Sequence, residues 1–152
     1  MQRILLTGMS GVGKSAVAAR LVELGYKAVD TDDGGFSRAD ESGVQRWDVD
    51  RIRRLLATED VDVLFVVGSD DDQVLFYPDF DHIVLLSAPR EVIVERLASR
   101  ANNPFGKSPD ELAKILADLA KYEPMMRRSA THEIDTDQPI DRVIDEILSL
   151  VQ

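Results

Sequence analysis

The sequence predicts a three-layer α/β domain built on a parallel β-sheet, and three observations support this fold class. Apolar runs alternate with segments of helical periodicity along the 152 residues. The runs at 61–67 and 82–87 are almost continuously hydrophobic, which suits strands that are covered on both faces. The first run, at 3–7, leads directly into a glycine-rich turn and then into a helical pattern. Because the chain shows no linker and no internal repeat, we expect one domain spanning residues 1–152.

The individual elements follow from local signals. The predicted strands cover 3–7, 26–30, 61–67, 82–87 and 131–135. The predicted helices cover 14–24, 48–58 and 89–100, and two more begin near 109 and at Pro139. In the first helix, Val17, Leu21 and Leu24 recur at the spacing of one buried face. The segment Ser108-Pro109-Asp110-Glu111 combines capping-box spacing with a proline in the first turn, and both features start helices.

The turn after the first strand carries the clearest chemical signal. Gly8–Ser15 reads GMSGVGKS and fits the pattern G-x-x-x-x-G-K-[ST] of a phosphate-binding P-loop. In such a loop, backbone N–H groups surround the phosphates, the lysine reaches the β- and γ-phosphates, and the hydroxyl binds Mg²⁺. The sequence therefore predicts a P-loop NTPase fold that binds ATP and Mg²⁺. The nucleotide-binding residues of this loop are Gly8, Ser10, Gly11, Val12, Gly13, Lys14, Ser15 and Ala16.

The composition limits the partners of such a domain. A formal net charge of −10 works against nucleic acid, because binding to a phosphate backbone uses clustered Lys and Arg. The absence of cysteine excludes disulfides and thiolate metal sites. No apolar run is long enough to span a membrane, and the first predicted strand leaves no room for a signal peptide. We expect a cytoplasmic monomer or homodimer whose partner is a small molecule.

Acidic residues close the second predicted strand. Asp30, Asp32 and Asp33 stand in the segment DTDD, at the end of a strand whose carboxyl end faces the ligand crevice of a parallel sheet. One carboxylate there can hold Mg²⁺ through water, and another can accept a proton from an attacking hydroxyl. The alternative is a solvated acidic loop in an acidic chain.

Two segments resemble the shikimate kinase family. Residues 24–32, LGYKAVDTD, look like the second-strand segment of these enzymes. Residues 127–136, RRSATHEIDT, are similar to the segment between their substrate arginine and their adenine loop. With the P-loop, these matches cover both ends of the chain in the family's order. The resemblance implies a small kinase with a five-stranded parallel sheet in the order 2-3-1-4-5 and a small mobile lid.

The same resemblance implies roles for single residues. Asp30 corresponds to the carboxylate on the magnesium side, together with Ser15. Asp32 corresponds to the group that binds the acceptor hydroxyl and serves as a possible base. Arg127 corresponds to the arginine that grips an anionic part of the acceptor. The loop at 135–139 corresponds to the adenine loop, which makes Asp137 and Pro139 nucleotide-binding candidates.

The lid is expected at about 101–109, between two predicted helices. The Arg-Pro-Leu segment that the family carries there is absent, so we assign the catalytic lid cation to Lys107 and a nucleotide contact to Arg100. Lysine acts as a point charge and lacks the fork geometry of arginine. Alternatively, Arg96 and Arg100 are partners of acidic residues on a helix surface.

The segments that face the acceptor depart from the family. The Phe-Arg-x-x-Glu motif is absent, and the stretch at 46–54 stands in its place. The glycine triplet after the third strand is replaced by the segment at 68–73, GSDDDQ. Acidic side chains there would repel a carboxylate. Asp70 is either a second metal-side carboxylate, a ligand for acceptor hydroxyls, or part of a charged surface turn.

These observations predict an ATP-dependent small-molecule kinase that transfers the γ-phosphoryl group to a hydroxyl of a metabolite other than shikimate. Lys14, Asp32 and Lys107 would be catalytic, and Asp32, Arg54, Asp70 and Arg127 would bind the acceptor. A nucleoside or nucleotide kinase is an alternative, whose candidate ligands for an acceptor phosphate are Arg51, Arg53, Arg54 and Arg127. A gluconate-type sugar kinase is another. From a different class, the chain could be a nucleotide-binding regulator or a slow NTPase.

Overall fold

The computed structural model describes residues 1–99 and 108–151 as a five-stranded sheet with helices on both faces and a two-stranded sheet beside it. The strands are β1 (Gln2–Thr7), β2 (Lys27–Asp30), β3 (Ser37–Ala39), β4 (Gln45–Trp47), β5 (Val63–Val67), β6 (His82–Ser87) and β7 (His132–Asp135). The α-helices are α1 (Lys14–Glu23), α2 (Val49–Leu56), α3 (Arg90–Ser99), α4 (Pro109–Ser129) and α5 (Ile140–Ser149), and a 3-10 helix covers Asp71–Asp79.

All strands of the larger sheet are parallel, in the order β2-β5-β1-β6-β7. Counted over the five predicted strands, this is the order 2-3-1-4-5, so the predicted fold class and strand order are confirmed. Strand β1 is central: β5 and β2 lie on one side of it, and β6 and β7 lie on the other. A crevice forms at the carboxyl ends of the strands where the direction reverses. Here Thr7, Asp30 and Val67 end the strands beside that crevice.

Successive side chains of the central strands enter two hydrophobic clusters on opposite faces of the sheet. From β1, Ile4 and Leu6 pack with residues of α1, α3 and α5. Leu5 between them packs with residues of α2 and the 3-10 helix. All three are fully buried, and burial of each such side chain contributes about 1.5–3 kcal/mol. Burial on both faces is the reason that the strand reads as a continuous apolar run.

The five α-helices begin at or one residue after their predicted starts. Ser108 is the N-cap of α4, at the position that the capping-box spacing predicts: its hydroxyl accepts the Glu111 backbone N–H at 3.2 Å and donates to the Glu111 carboxylate at 3.0 Å. The helix continues through Pro124 to Ser129, over 21 residues. Within the described part of the chain, neither α4 nor any other helix is long and apolar enough to cross a membrane.

Two elements were not predicted. Strands β3 and β4 form an antiparallel hairpin in which Arg38 lies opposite Arg46. The segment read as a charged run after β5 is instead the start of the 3-10 helix, with Asp70 as its N-cap. The Asp70 side chain accepts the Asp72 backbone N–H, and the Gln73 side chain accepts the Asp70 backbone N–H at 3.0 Å. Residues of both elements line the cavity described below.

Candidate active site

The P-loop connects β1 to α1 in a conformation that suits a bound anion. Gly11 and Gly13 have φ of 87° and 96°, in the left-handed region that favours glycine. A Cβ added at Gly11 would lie 2.9 Å from the Ile93 side chain, so the backbone here approaches α3 closely. Among the described residues, no side chain caps the start of α1 at Gly13 and its first turn holds no acidic residue. The N–H groups of this turn are thus suited to phosphate oxygens.

Lys14 curls back over the same loop. Its ammonium group donates to the carbonyl oxygens of Gly8 at 2.6 Å and Met9 at 3.1 Å. The positive charge is therefore held within the turn formed by the P-loop, beside the N–H groups of the first turn of α1. A lysine in this position can neutralise phosphate charge without a large rearrangement of the backbone.

Ser15, Asp30 and Asp32 form a chain of oxygen-rich contacts beside Lys14. The Ser15 hydroxyl donates to one carboxylate oxygen of Asp30 at 3.0 Å, and the other oxygen accepts the Asp32 backbone N–H at 3.0 Å. These oxygen donors suit Mg²⁺, which is commonly held by one or two carboxylates together with substrate phosphates. Residues 1–99 and 108–151 hold no group of three or more acidic or histidine side chains that could form an all-protein metal cage.

The Asp32 carboxyl lies in surroundings that favour its protonated form. Partial desolvation raises the pKa of this carboxyl above its ordinary value, and the negative charge of Asp30 adds to the effect. The positive charge of Lys14 opposes the shift, and Asp33 adds to it. The side chain still reaches solvent. A carboxylate with a raised pKa is a better proton acceptor near neutral pH.

Thr31 fixes the backbone between the two aspartates. It is fully buried, and its hydroxyl donates to the Val67 carbonyl at 3.2 Å. The Trp47 indole N–H donates to the same hydroxyl at 3.0 Å. Gly68 packs so closely on Thr31 that a Cβ at position 68 would collide with the threonine hydroxyl. The end of β2 is therefore held by β5 and by the hairpin, while Asp30 and Asp32 point away from this buried contact.

A cavity of about 480 Å³ opens next to the P-loop. Its walls come from the P-loop, the β3–β4 hairpin, the segment after β5 with the 3-10 helix, and one face of α4. The lining combines apolar and polar side chains and includes Met9, Gln45, Arg46, Ser69, Asp70, Tyr77, Tyr122 and Met126. Met9 lines this cavity, and its carbonyl also accepts a hydrogen bond from the Lys14 ammonium group. The cavity is therefore adjacent to the predicted phosphate site. This is a suitable place for a phosphoryl acceptor.

Arg46 is the cation of this cavity that sequence reasoning missed. Its guanidinium nitrogens lie 3.9 Å from Asp70, 3.6 Å from Asp71 and 3.4 Å from Asp72. Desolvation opposes the charged form, but the three carboxylates outweigh it and raise the pKa of the guanidinium. Position 46 lies in the stretch that replaces the Phe-Arg-x-x-Glu motif of shikimate kinases. This correspondence was the sequence signal that could have identified Arg46 as a residue of the site.

The comparisons with known proteins agree with this arrangement. Residues 4–117 match the family AAA_18, described as an AAA domain. Shikimate kinase 2 of Yersinia enterocolitica is 29% identical over 166 residues, covering 99% of this chain and 95% of the Yersinia protein. A shikimate kinase of Mycobacterium bovis is 30% identical, covering 99% of this chain and 93% of the other. The chain belongs to the shikimate kinase-like small P-loop kinases. It is an ATP-dependent kinase of the P-loop small-molecule class.

The solved structures agree on the fold of this small kinase. Shikimate kinase from Acinetobacter baumannii, solved in complex with shikimate, matches with a TM-score of 0.71 at 21% identity. The match covers 99% of this chain and 93% of the Acinetobacter chain. The layered architecture is thus shared over nearly the whole length, including the region that contains the unpredicted hairpin.

On the nucleotide side of the kinase, the predicted adenine loop lies against the P-loop. The Thr136 hydroxyl donates to the Val12 carbonyl at 2.7 Å. Arg96 donates to the Thr136 carbonyl at 2.7 Å and to the Gly11 carbonyl at 3.3 Å, which joins the two loops through α3. The candidates Asp137 and Pro139 follow in the same segment, just before α5. Their contact with the nucleotide stays a prediction, as do those of Ser10 in the loop and Ala16 in α1.

The four residues predicted to bind the acceptor fall in different places. Asp32 follows β2, beside Asp30 and Lys14, and lies outside the described lining of the cavity. Asp70 lines the cavity, but its side chain is 4% exposed and caps the 3-10 helix. Arg127 lies outside the described lining and pairs with Glu133 at 2.7 Å and Glu123 at 2.9 Å. Hydrogen bonds to Glu133 and then Glu123 raise the pKa of its guanidinium above the usual range. Arg54 lines a different, shallow cavity with Phe36, Arg51, Leu55 and Thr58.

The predicted lid is almost entirely beyond the part of the chain that the structure describes. Arg100 and Lys107 lie outside the described residues, so their assignments stay predictions. Ser108 and Pro109, at the end of the predicted lid, form the start of α4. The predicted lid lies in sequence between α3 and α4, and the far half of α4 lines the cavity.

Proposed function

We propose that this kinase transfers the γ-phosphoryl group of ATP to a hydroxyl of a small metabolite other than shikimate, held in the cavity beside Met9. The observation that carries the proposal is the contact chain from Ser15 through Asp30 to Asp32, next to Lys14. It joins a phosphate-binding loop to a carboxylate that can act on an acceptor. The proposed reaction needs one domain, residues 1–152.

The chain's own residues divide the work as follows. The N–H groups of the P-loop and the Lys14 ammonium group hold and neutralise the phosphates. Ser15 and Asp30 would hold Mg²⁺ through their oxygens. Bound ATP would supply the phosphoryl group, and Mg²⁺ would offset its negative charge. Lys107 is proposed as the cation that the lid adds on closure, when water is excluded from the site.

Asp32 is proposed to orient the acceptor hydroxyl and take its proton. General base catalysis by a placed carboxylate contributes about 10²–10⁴-fold to a rate. The raised pKa of Asp32 supports this role, because the carboxylate then accepts a proton more readily near neutral pH. Thr31 fixes the backbone of Asp32, so the carboxylate has a defined starting position.

An acceptor other than shikimate is proposed because the expected carboxylate-binding groups are not available in their usual form. Arg46 faces three aspartates, and Arg127 is paired with Glu133 and Glu123. An incoming carboxylate would compete with protein carboxylates for both guanidinium groups. Such competition weakens the binding of an anion, whose own desolvation must also be offset.

The proposal is tested by measuring ADP release from ATP and Mg²⁺ with and without pools of sugars, polyols, nucleosides and shikimate. Acceptor-dependent release is expected, and Lys14→Ala should reduce it by at least about 10²-fold. Asp32→Asn should reduce turnover by about 10²–10⁴-fold with little change in ATP binding. Asp79→Asn, an exposed change of the same kind in the 3-10 helix, is the control. Slow release that no acceptor accelerates would favour a nucleotide-binding regulator or slow NTPase instead.

A further inference from the structure

We propose that the acceptor is an uncharged or cationic alcohol with an extended apolar face, such as a nucleoside, and that Asp71 and Asp72 set this preference by neutralising Arg46. The proposal deepens the proposed function and rests on it. Two independent properties of the cavity support it: the balance of charges around Arg46, and the apolar side chains that the cavity exposes.

The charges around Arg46 argue against an anion-binding site in the cavity. Three carboxylates lie within 3.4–3.9 Å of the Arg46 guanidinium, which is the cation of the described lining. Asp70 is almost fully buried and holds the helix cap, so its charge is fixed in place. Asp118 of α4 adds a further carboxylate to the lining, paired with Lys114 at 3.0 Å. An anionic acceptor would therefore enter a negative field, and like charges at an interface disfavour binding.

The exposed apolar side chains of the same cavity indicate what the acceptor covers. Val44, Val74 and Met125 are 55%, 57% and 50% exposed, and Tyr122 is 36% exposed. They belong to the hairpin turn, the 3-10 helix and α4, yet all four line this one cavity. Single exposed apolar residues are ordinary, but their convergence at a concave site is typical of a ligand surface.

Together, the two properties favour a nucleoside-like acceptor over the other candidates. A sugar or polyol has hydroxyls for the polar side of the cavity but no apolar face to cover Val74 and Met125. A nucleotide or a sugar acid has a negative group that faces Asp71 and Asp72. A neutral nucleoside offers a hydroxyl, a planar base that packs on side chains, and no charge to repel.

The test compares acceptors that differ in charge but keep every acceptor hydroxyl. Cytidine and uridine are compared with their 5-carboxy derivatives, which retain all three ribose hydroxyls, and shikimate methyl ester with shikimate, by acceptor-dependent ADP release at low ionic strength. We expect kcat/KM of the neutral member to exceed that of the anion by about tenfold or more. A preference for the carboxy nucleosides would overturn this inference and leave the proposed function intact, whereas a preference for shikimate would overturn both. If none of these compounds accelerates release over Lys14→Ala but a sugar or polyol pool does, this inference fails and the proposed function stands.

The role of the acidic residues is tested with the double variant Asp71→Asn/Asp72→Asn. It removes two of the three carboxylates around Arg46 and keeps the Asp70 cap, so the ratio of kcat/KM for anionic over neutral acceptors should rise about tenfold. The control is Asp79→Asn, an exposed carboxylate at the other end of the same 3-10 helix. An unchanged ratio in a double variant that keeps the wild-type Tm would overturn the assignment.

The apolar contact is tested with a pair of neighbouring residues. Val74 and Leu75 are 57% and 58% exposed, but Leu75 lies outside the described lining of the cavity. Val74→Ser should raise KM for cytidine about threefold to tenfold, as expected for a lost apolar contact of a ligand. Leu75→Ser should leave KM unchanged. Equal effects of the two changes would show that the apolar face of the acceptor does not rest on Val74.

Discussion

At the scale of single residues, Asp32 connects the electrostatics of the site to its chemistry. Desolvation, Asp30 and Asp33 raise the pKa of its carboxyl, and Lys14 lowers it. A base works only as the carboxylate, so turnover should be lost as the pH falls through this raised pKa. The acid limb of the kcat/KM profile, which reports groups of the free enzyme, should therefore lie above the ordinary aspartate pKa of about 3.9.

Asp33→Asn tests this origin of the acid limb. The variant removes one negative neighbour, so the pKa of Asp32 should fall and the acid limb should move to lower pH. The measurement is kcat/KM for the acceptor against pH between about pH 4 and 8. Asp79→Asn changes the net charge equally, but it lies in the 3-10 helix and should leave the limb in place. A limb that moves upward, or the same shift in both variants, would contradict the assignment.

The same raised pKa predicts that the Asp32 carboxylate destabilises the folded protein. A carboxyl whose pKa is higher in the folded state than in the unfolded state lowers the free energy of unfolding when it is ionised. Asp32 is ionised at neutral pH. Asp32→Asn should therefore increase the free energy of unfolding at pH 7. The increase should vanish as the pH falls below the pKa of the unfolded chain, about 3.9, where the wild-type carboxyl is protonated in both states. Urea unfolding of both proteins at pH 7 and pH 3.5 checks this, and an increase that persists at pH 3.5 would contradict it.

At the scale of elements, the sequence predicts the parts of the fold that depend on local pattern and continuous burial. The three central strands of the parallel sheet, β1, β5 and β6, are buried on both faces and therefore appear in the sequence as apolar runs. The hairpin strands have three residues each, and only Trp47 among them is fully buried. Their register depends on tertiary contacts such as the Asp70 carboxylate, which accepts the Trp47 backbone N–H at 3.1 Å. No periodic pattern encodes such a contact.

The 3-10 helix was missed for a different reason. Its start, Asp70-Asp71-Asp72-Gln73, has the spacing of a capping box, in which Asp70 and Gln73 satisfy each other's backbone N–H groups. The signal was present but was outweighed by the run of charges, which usually marks a solvated surface. Arg46 was missed with it, because the contact between this arginine and the aspartates joins two elements that neither pattern predicts.

Thr136 provides a prediction that belongs to the packing of elements. Its buried hydroxyl shares its one proton between the carbonyls of Val12 at 2.7 Å and Ser87 at 3.1 Å, and it accepts from Arg96, so it joins the P-loop, β6 and α3 to the adenine loop. Thr136→Val keeps the shape and removes these bonds, which should lower the free energy of unfolding by about 1–3 kcal/mol. KM for ATP should rise as well, because the two nucleotide loops lose their common anchor.

Urea unfolding and ATP titration at saturating acceptor measure the two effects of Thr136→Val. Ser99→Ala is the control, because the Ser99 hydroxyl bonds only within its own helix among the described contacts, to the Glu95 carbonyl at 2.9 Å and the Arg96 carbonyl at 3.4 Å. A loss of stability with an unchanged KM for ATP would show that the link is purely structural. An unchanged stability would contradict the prediction altogether.

At the scale of the whole molecule, the uneven distribution of charge explains how an acidic protein can bind anionic ATP. The net charge is −10, yet the phosphate side is formed by the N–H groups at the start of α1 and by Lys14. The acceptor side carries the excess of carboxylates around Arg46. The crevice at the carboxyl ends of β1, β2 and β5 thus has a positive half and a negative half. The strand order places these halves side by side, and the sequence predicted that order through the resemblance rather than through periodicity.

This division predicts how ligands stabilise the whole fold. A ligand that binds only the folded state at about 100 times its Kd adds about 2.7 kcal/mol, which for a chain of this size raises Tm by roughly 5–11 °C. ATP with Mg²⁺ at that concentration should produce such a shift, and Lys14→Ala should abolish most of it. A saturating nucleoside should raise Tm further by occupying the negative half, whereas shikimate should not. Differential scanning fluorimetry over a ligand series measures each shift, with Asp79→Asn as the variant that should behave as wild type. A shift by ATP that survives Lys14→Ala unchanged would place the nucleotide elsewhere on the molecule.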